Sequence, residues 1–80
     1  MERFHGIIEA LKELSEDNTL PKNVREKVNS VIAILKDKNE HSLKIDKALH
    51  ELEGLSEDSN LQAYTRTQVW NVVSMLEMVK

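Results

Sequence analysis

Apolar residues recur every three or four positions along most of the chain, and no stretch alternates apolar and polar residues long enough for a strand. Phe4, Ile7, Ile8, Leu11 and Leu14 mark one face of a first helix. Val24, Val28, Val31, Ile32 and Leu35 mark a second, and Ile45, Ala48, Leu49 and Leu52 a third. A fourth starts near Asn60 and carries Leu61, Thr65, Val69, Val72, Val73, Leu76 and Val79. Local chemistry predicts the breaks. Thr19 is placed as the N-cap of the second helix, with Pro21 in its first turn, where no backbone donor is needed. Asp37–Ser42 interrupts the period, and Gly54 is placed as the left-handed residue that closes the third helix.

The two halves of this pattern are copies. A shift of 41 positions, without a gap, lays Leu11, Leu14, Ser15, Glu16, Asp17 and Leu20 on Leu52, Leu55, Ser56, Glu57, Asp58 and Leu61. The same shift lays Arg25, Val28, Val31 and Leu35 on Arg66, Val69, Val72 and Leu76. The matches fall on core and turn positions, so the unit repeated is a helical hairpin, spanning roughly 2–38 and 42–79 of one domain, 1–80. Short turns make sequential helices antiparallel neighbours. The predicted fold is all-α, an antiparallel up-and-down four-helix bundle of two duplicated hairpins. A pair of chains exchanging hairpins has the same local structure and stays open as an alternative.

The turn-and-helix segment SEDNTLPKNVREKV (Ser15–Val28) and the ending TRTQVWNVVSMLEMV (Thr65–Val79) resemble a small archaeal family of uncharacterised proteins, UPF0147. The resemblance runs from about Ile7 to Val79 and is most specific over Ala63–Glu77, with Arg66, Trp70, Asn71 and Leu76. It implies an all-helical bundle of unknown activity and supplies no catalytic residue. The family's second turn tends to carry a proline where this chain has Gln62, opposite Pro21, which leaves the start of the fourth helix less rigid.

Composition narrows the function. Acids and bases are interspersed and the formal net charge is −3, so the basic stripe of a nucleic-acid binder is missing. A folded patch of Lys22, Arg25, Lys27 and Arg66 is the remaining route to nucleic acid or a ribosome. There is no cysteine, which removes disulfides and thiolate chemistry. The longest apolar run, Val31–Leu35, is far too short to cross a membrane, and the opening MERFHGIIEA lacks a cleavage signal; a cytoplasmic protein is expected. No phosphate loop, G-x-S-x-G or H-E-x-x-H occurs, and the serines sit at turns and helix flanks. No catalytic residue, cofactor or metal site is assigned, and the expected protein is not an enzyme.

Three groups of residues stand out. Asp17 and Asp58 sit two residues before Thr19 and Asn60, the expected N-caps of the second and fourth helices, where negative charge suits the helix dipole. Arg25 and Arg66 are read as folding back onto Asp17 and Asp58 or onto turn carbonyls, the alternative being an anionic ligand. Asp46, His50 and Glu53 share one face of the third helix at i, i+4 and i+7, a poor zinc set without cysteine; His5 and His41 have no evident partner. The fourth helix is apolar over more of its circumference than one bundle contact needs. Tyr64, Met75 and Met78 run along one flank with Gln68 and Asn71, and Trp70 stands on the other; Ile34 is the counterpart of Met75. Such a helix is either the most deeply buried of the monomer or one that meets a second molecule. A sole tryptophan tends to anchor the core of a small domain, which favours burial of Trp70. The function expected is a non-enzymatic interaction or assembly module. It acts through Tyr64, Trp70, Met75, Met78 and Ile34 on an unidentified protein partner, a homodimer being the simplest form, and Met75→Lys should weaken the contact.

Overall fold

The computed structural model describes residues 4–80 and holds four α-helices: α1 (His5–Ser15), α2 (Lys22–Lys36), α3 (His41–Ser56) and α4 (Ala63–Val79). The expected start of the first hairpin at Glu2 lies outside the described residues. Each helix packs on two others in a closed ring, α1–α2–α3–α4–α1, and the diagonal pairs do not meet. The fold is an antiparallel up-and-down four-helix bundle of two duplicated hairpins. Its axis is filled by Leu11, Val24, Val28, Val31, Ile45, Leu52, Val69, Val72 and Leu76, all fully buried. Each such side chain contributes about 1.5–3 kcal/mol by leaving water, so one shared core holds the four helices together.

The duplication extends to single hydrogen bonds. In the first turn Asp17 N–H donates to Leu14 O at 3.1 Å and Leu20 N–H to Asp17 O at 3.2 Å. In the second, Asp58 N–H donates to Leu55 O at 3.1 Å and Leu61 N–H to Asp58 O at 3.2 Å. The Ser15 hydroxyl donates to Lys12 O and the Ser56 hydroxyl to Glu53 O, both at 2.8 Å. Pro21 has φ −58° and ψ 152°, and Gln62 has φ −71° and ψ 154°. Gln62 thus takes the proline's conformation without the ring that imposes it.

Three local expectations are corrected. Thr19 and Asn60 are not N-caps, because the helices start later, after Pro21 and Gln62, and neither of those residues caps with its side chain. Thr19 and Asn60 instead close small turns on Asp17 and Asp58: each donates its backbone N–H to the aspartate Oδ1 at 2.9 Å. The third helix does not stop at Gly54. It runs to Ser56, and Gly54 has no positive φ, so the chain turns at Glu57 with φ −89° and ψ −3°.

The opposite end of the bundle is closed by aromatic and polar contacts. The Phe4 and His41 rings stack with centroids 5.1 Å apart, and Lys44 Nζ lies 5.6 Å from the Phe4 ring centre. His41 Nε2–H donates to Val79 O at 2.8 Å, so His41 ties the start of α3 to the last turn of α4. Its partners lie 37 and 38 positions away in sequence, beyond any local pattern.

Candidate functional site

The two arginines, twins in sequence, are held differently. Arg66 returns to its own turn, where Nε–H donates to Ser56 O at 3.2 Å and Nη2–H to Asp58 O at 3.1 Å. Arg25 makes no such bonds, and its Nε is buried without an acceptor among the described residues. Nothing in the backbone of the two turns explains the difference. The aspartate carboxylates are not the arginine acceptors; they serve Thr19 and Asn60. Asp17 Oδ1 also accepts the Thr19 hydroxyl at 2.6 Å. That bond, followed by the Thr19 backbone N–H, holds the Asp17 carboxyl below the usual carboxylate range.

The other charged candidates are similarly dispersed. Lys27 pairs with Glu51 at 3.4 Å, which with the fixing of Arg66 leaves Lys22 and Arg25 as the open part of the basic set. Asp46 and His50 line a shallow groove of about 330 Å³ between α2 and α3, with Ile34, Lys47 and Glu51. Glu53 is not on it, and among the described residues no three histidine or acidic side chains gather as a metal site. No helix among the described residues is long and apolar enough to cross a membrane.

The apolar residues of α4 fall on separate surfaces. Trp70 is 50% exposed, Tyr64 66% and Met78 85%. The expected burial of Trp70 is therefore corrected: α3 and α1 flank α4, and Val69, Val72, Val73 and Leu76 already fill the sector between them. Met75 and Ile34 are half-buried against the core, at the two junctions between the hairpins. Met75 faces α1, its methyl group 3.9 Å from where a β-carbon on Gly6 would stand. Ile34 faces α3 in the groove described above. Tyr64 and Gln68 also turn to α1, around a small hollow with Ala10, Glu13, Leu14 and Asp17. At about 100° per residue, Trp70 lies ~120° round the helix from Tyr64, on the α3 side.

What joins these residues is the absence of charge. Ala63, Tyr64, Thr67, Trp70, Asn71, Ser74 and Met78 are exposed on the outer side of α4 and none is ionisable at neutral pH; the exposed Glu77, two turns beyond Trp70, borders them on the α3 side. Only Arg66 and Glu77 are charged in the whole helix, in a chain that is 31% charged. The matching positions of α2 include Lys22, Asn23, Glu26, Asn29, Ser30 and Ala33, an ordinary solvated face. A long period hides in α4 as well. Tyr64, Asn71 and Met78 are spaced by seven, with Thr67, Gln68, Ser74 and Met75 between them, the spacing of a helix that packs along a second helix. The sequence pattern already sets these residues on one flank; the seven-residue spacing itself is what the broad apolar pattern of the core obscured.

A sequence model described as Uncharacterised protein family (UPF0147) matches residues 1–79. A UPF0147 protein of Methanocaldococcus jannaschii is 39% identical over 82 aligned positions, covering 99% of this chain and 86% of the relative. One from Pyrococcus furiosus is 36% identical, covering 99% and 87%. Among solved structures, the UPF0147 protein of Thermoplasma acidophilum superposes with a TM-score of 0.91 at 34% identity, over 98% of this chain and 93% of that one. A protein of unknown function, MMP1188, gives a TM-score of 0.92 at 34% identity, over 98% and 90%. These names carry no activity.

Proposed function

The chain belongs to the UPF0147 family, and we propose that it is a small, non-enzymatic protein-interaction or assembly module of the cytoplasm that works through the outer side of α4. One observation carries this reading. The flank of α4 that runs from Tyr64 through Thr67, Asn71 and Ser74 to Met78 carries no charge, and the helix exposes a tyrosine, a tryptophan and a methionine. Protein interfaces differ from the remaining surface in this way, being depleted of charge and enriched in Tyr, Trp and Met. Ordinary solvation has no use for such a face, and the charged outer side of α2 illustrates the usual solution.

Met78 is the residue to change. Met75 is partly built into the α1–α4 junction, so a lysine there would disturb the bundle as well as its surface. Tagged native protein and Met78→Lys should be recovered from archaeal extract and their bound proteins compared quantitatively, a second copy of the chain included. The reading expects a stoichiometric partner that is lost with Met78→Lys while helicity is unchanged. Identical recoveries for the two proteins would refute it.

A further inference from the structure

The geometry points to a second copy of this chain as the partner, docked α4 against α4 in antiparallel fashion about a two-fold axis through Asn71. The inference rests on the interaction reading above and specifies its occupant. Its first support is register. Tyr64 and Met78 stand seven positions on either side of Asn71. In an antiparallel two-fold pair, residues equidistant from the centre meet, so Tyr64 faces the mate's Met78 and Asn71 faces its own copy. The outer contacts become two methionine–aromatic pairs and the central one an amide–amide hydrogen bond, with Thr67 set against Met75 and Gln68 against Ser74. A lone Asn on such a line fixes register, because sliding the helices would leave its amide against apolar groups.

Charge is the second support. An uncharged strip meets its own copy without repulsion, whereas the outer side of α2, with Lys22, Glu26 and Lys27, would need a partner of matched pattern. The ends of the strip are complementary under the same rotation. Glu13 and Asp17 rim the hollow at Tyr64, and Lys80 follows the opposite end beyond Met78. The rotation therefore sets the acids of one copy towards the lysine of the other. An anionic lipid surface is a poor competitor for this face, which lacks the rows of Lys or Arg that flank membrane-surface helices.

Shape is the third. On the α1 side the strip is bordered by Gly6, over which the Met75 methyl packs, and by Ala10, so no bulky α1 side chain rises between α1 and α4 at those two positions. The longest flank of the molecule measures 33 by 19 Å. Its footprint, on the order of 600 Å², lies towards the low end of what stable pairs bury per partner.

Because the chain has no cysteine, single substitutions read the register directly. Asn71→Cys and its twin on α2, Ser30→Cys, are both at exposed positions and should fold as the native chain does. Under mild oxidation the inference expects Asn71→Cys to form a covalent dimer at least tenfold faster than Ser30→Cys. An equimolar mixture of Tyr64→Cys and Met78→Cys should give the mixed dimer in preference to either homodimer. Equal rates for Asn71→Cys and Ser30→Cys would overturn the pairing, as would Tyr64→Cys linking chiefly to itself, which marks a parallel arrangement. If Asn71→Cys fails while Met78→Lys still abolishes binding of a different protein, the self-pairing falls and the interaction reading stands.

Discussion

Helices α2 and α4 occupy equivalent places in the two hairpins, and their inward sides are nearly interchangeable. Val28, Val31 and Leu35 of one match Val69, Val72 and Leu76 of the other, each buried to within 2% of full exclusion. Their outward sides have diverged completely. Where α2 shows Lys22, Glu26 and Lys27, α4 shows Ala63, Thr67 and Gln68; where α2 has Asn29, α4 has the half-exposed Trp70. The repeat therefore acts as an internal control. The core positions are common to both helices, and the outward residues peculiar to α4 are those on which the proposed contact rests.

The strongest way to break the comparison is at the core. Leu35→Ala and Leu76→Ala should each cost about 2–5 kcal/mol, because each leaves a cavity beside the bundle axis. Urea unfolding of the two variants would show it, and a near-neutral result at one alone would mean that the inner sides are not equivalent. The arginines sharpen it next. Arg66→Lys loses the paired bonds to Ser56 O and Asp58 O and should cost about 1 kcal/mol. Arg25→Lys, which loses no such pair, should cost less, and equal losses at the two sites would contradict the asymmetry.

Gly54 offers a gain of similar size. It sits inside α3 with nothing within 4 Å of an added β-carbon, and its twin in α1 is Glu13. Gly54→Ala should raise stability by up to about 1 kcal/mol, read as an increase in melting temperature. A loss would mean that the glycine is needed for something the bundle does not show. Asp17 gives a pH-dependent effect. Its carboxyl is held low in the folded chain, so its contribution is present above the unfolded pKa, about 3.9. It is lost as pH falls through the lower folded value. Asp17→Asn should flatten that part of the acid unfolding curve, and an unchanged curve would remove the Thr19 bonds from the account.

Much of this was legible in the chain because the core imposes a period of 3.6 residues and the copy confirms each assignment. The places that escaped share a cause: their conformation is decided by contacts rather than by residue type. Thr19 and Asn60 suit an N-cap, yet each is closer to an aspartate that turns the chain first, and the helices begin three residues later. Gly54 permits a left-handed stop without requiring one. Trp70 has the bulk of a core anchor, but it sits at the edge of an already filled sector, and an edge position faces solvent or packs according to its neighbours. His41 found Phe4 and Val79 only because the ring closed. The outer line of Tyr64, Asn71 and Met78 was visible as a spacing, and it acquired meaning by contrast with α2, where the flanking positions are the charged Lys22, Glu26 and Lys27.

The central claim, that the outer side of α4 is built for contact and that of α2 for water, is tested most directly by transplanting one onto the other. A variant carrying Ala63→Lys, Thr67→Glu, Gln68→Lys and Met78→Asp gives α4 the residues that its twin has at those positions. Each change should alter stability by no more than about 0.5 kcal/mol, because none reaches the core. Sedimentation equilibrium over the micromolar to millimolar range should find the native chain associating to a dimer and the variant remaining a folded monomer. A native chain that stays monomeric throughout, or a variant that still pairs, would contradict the account.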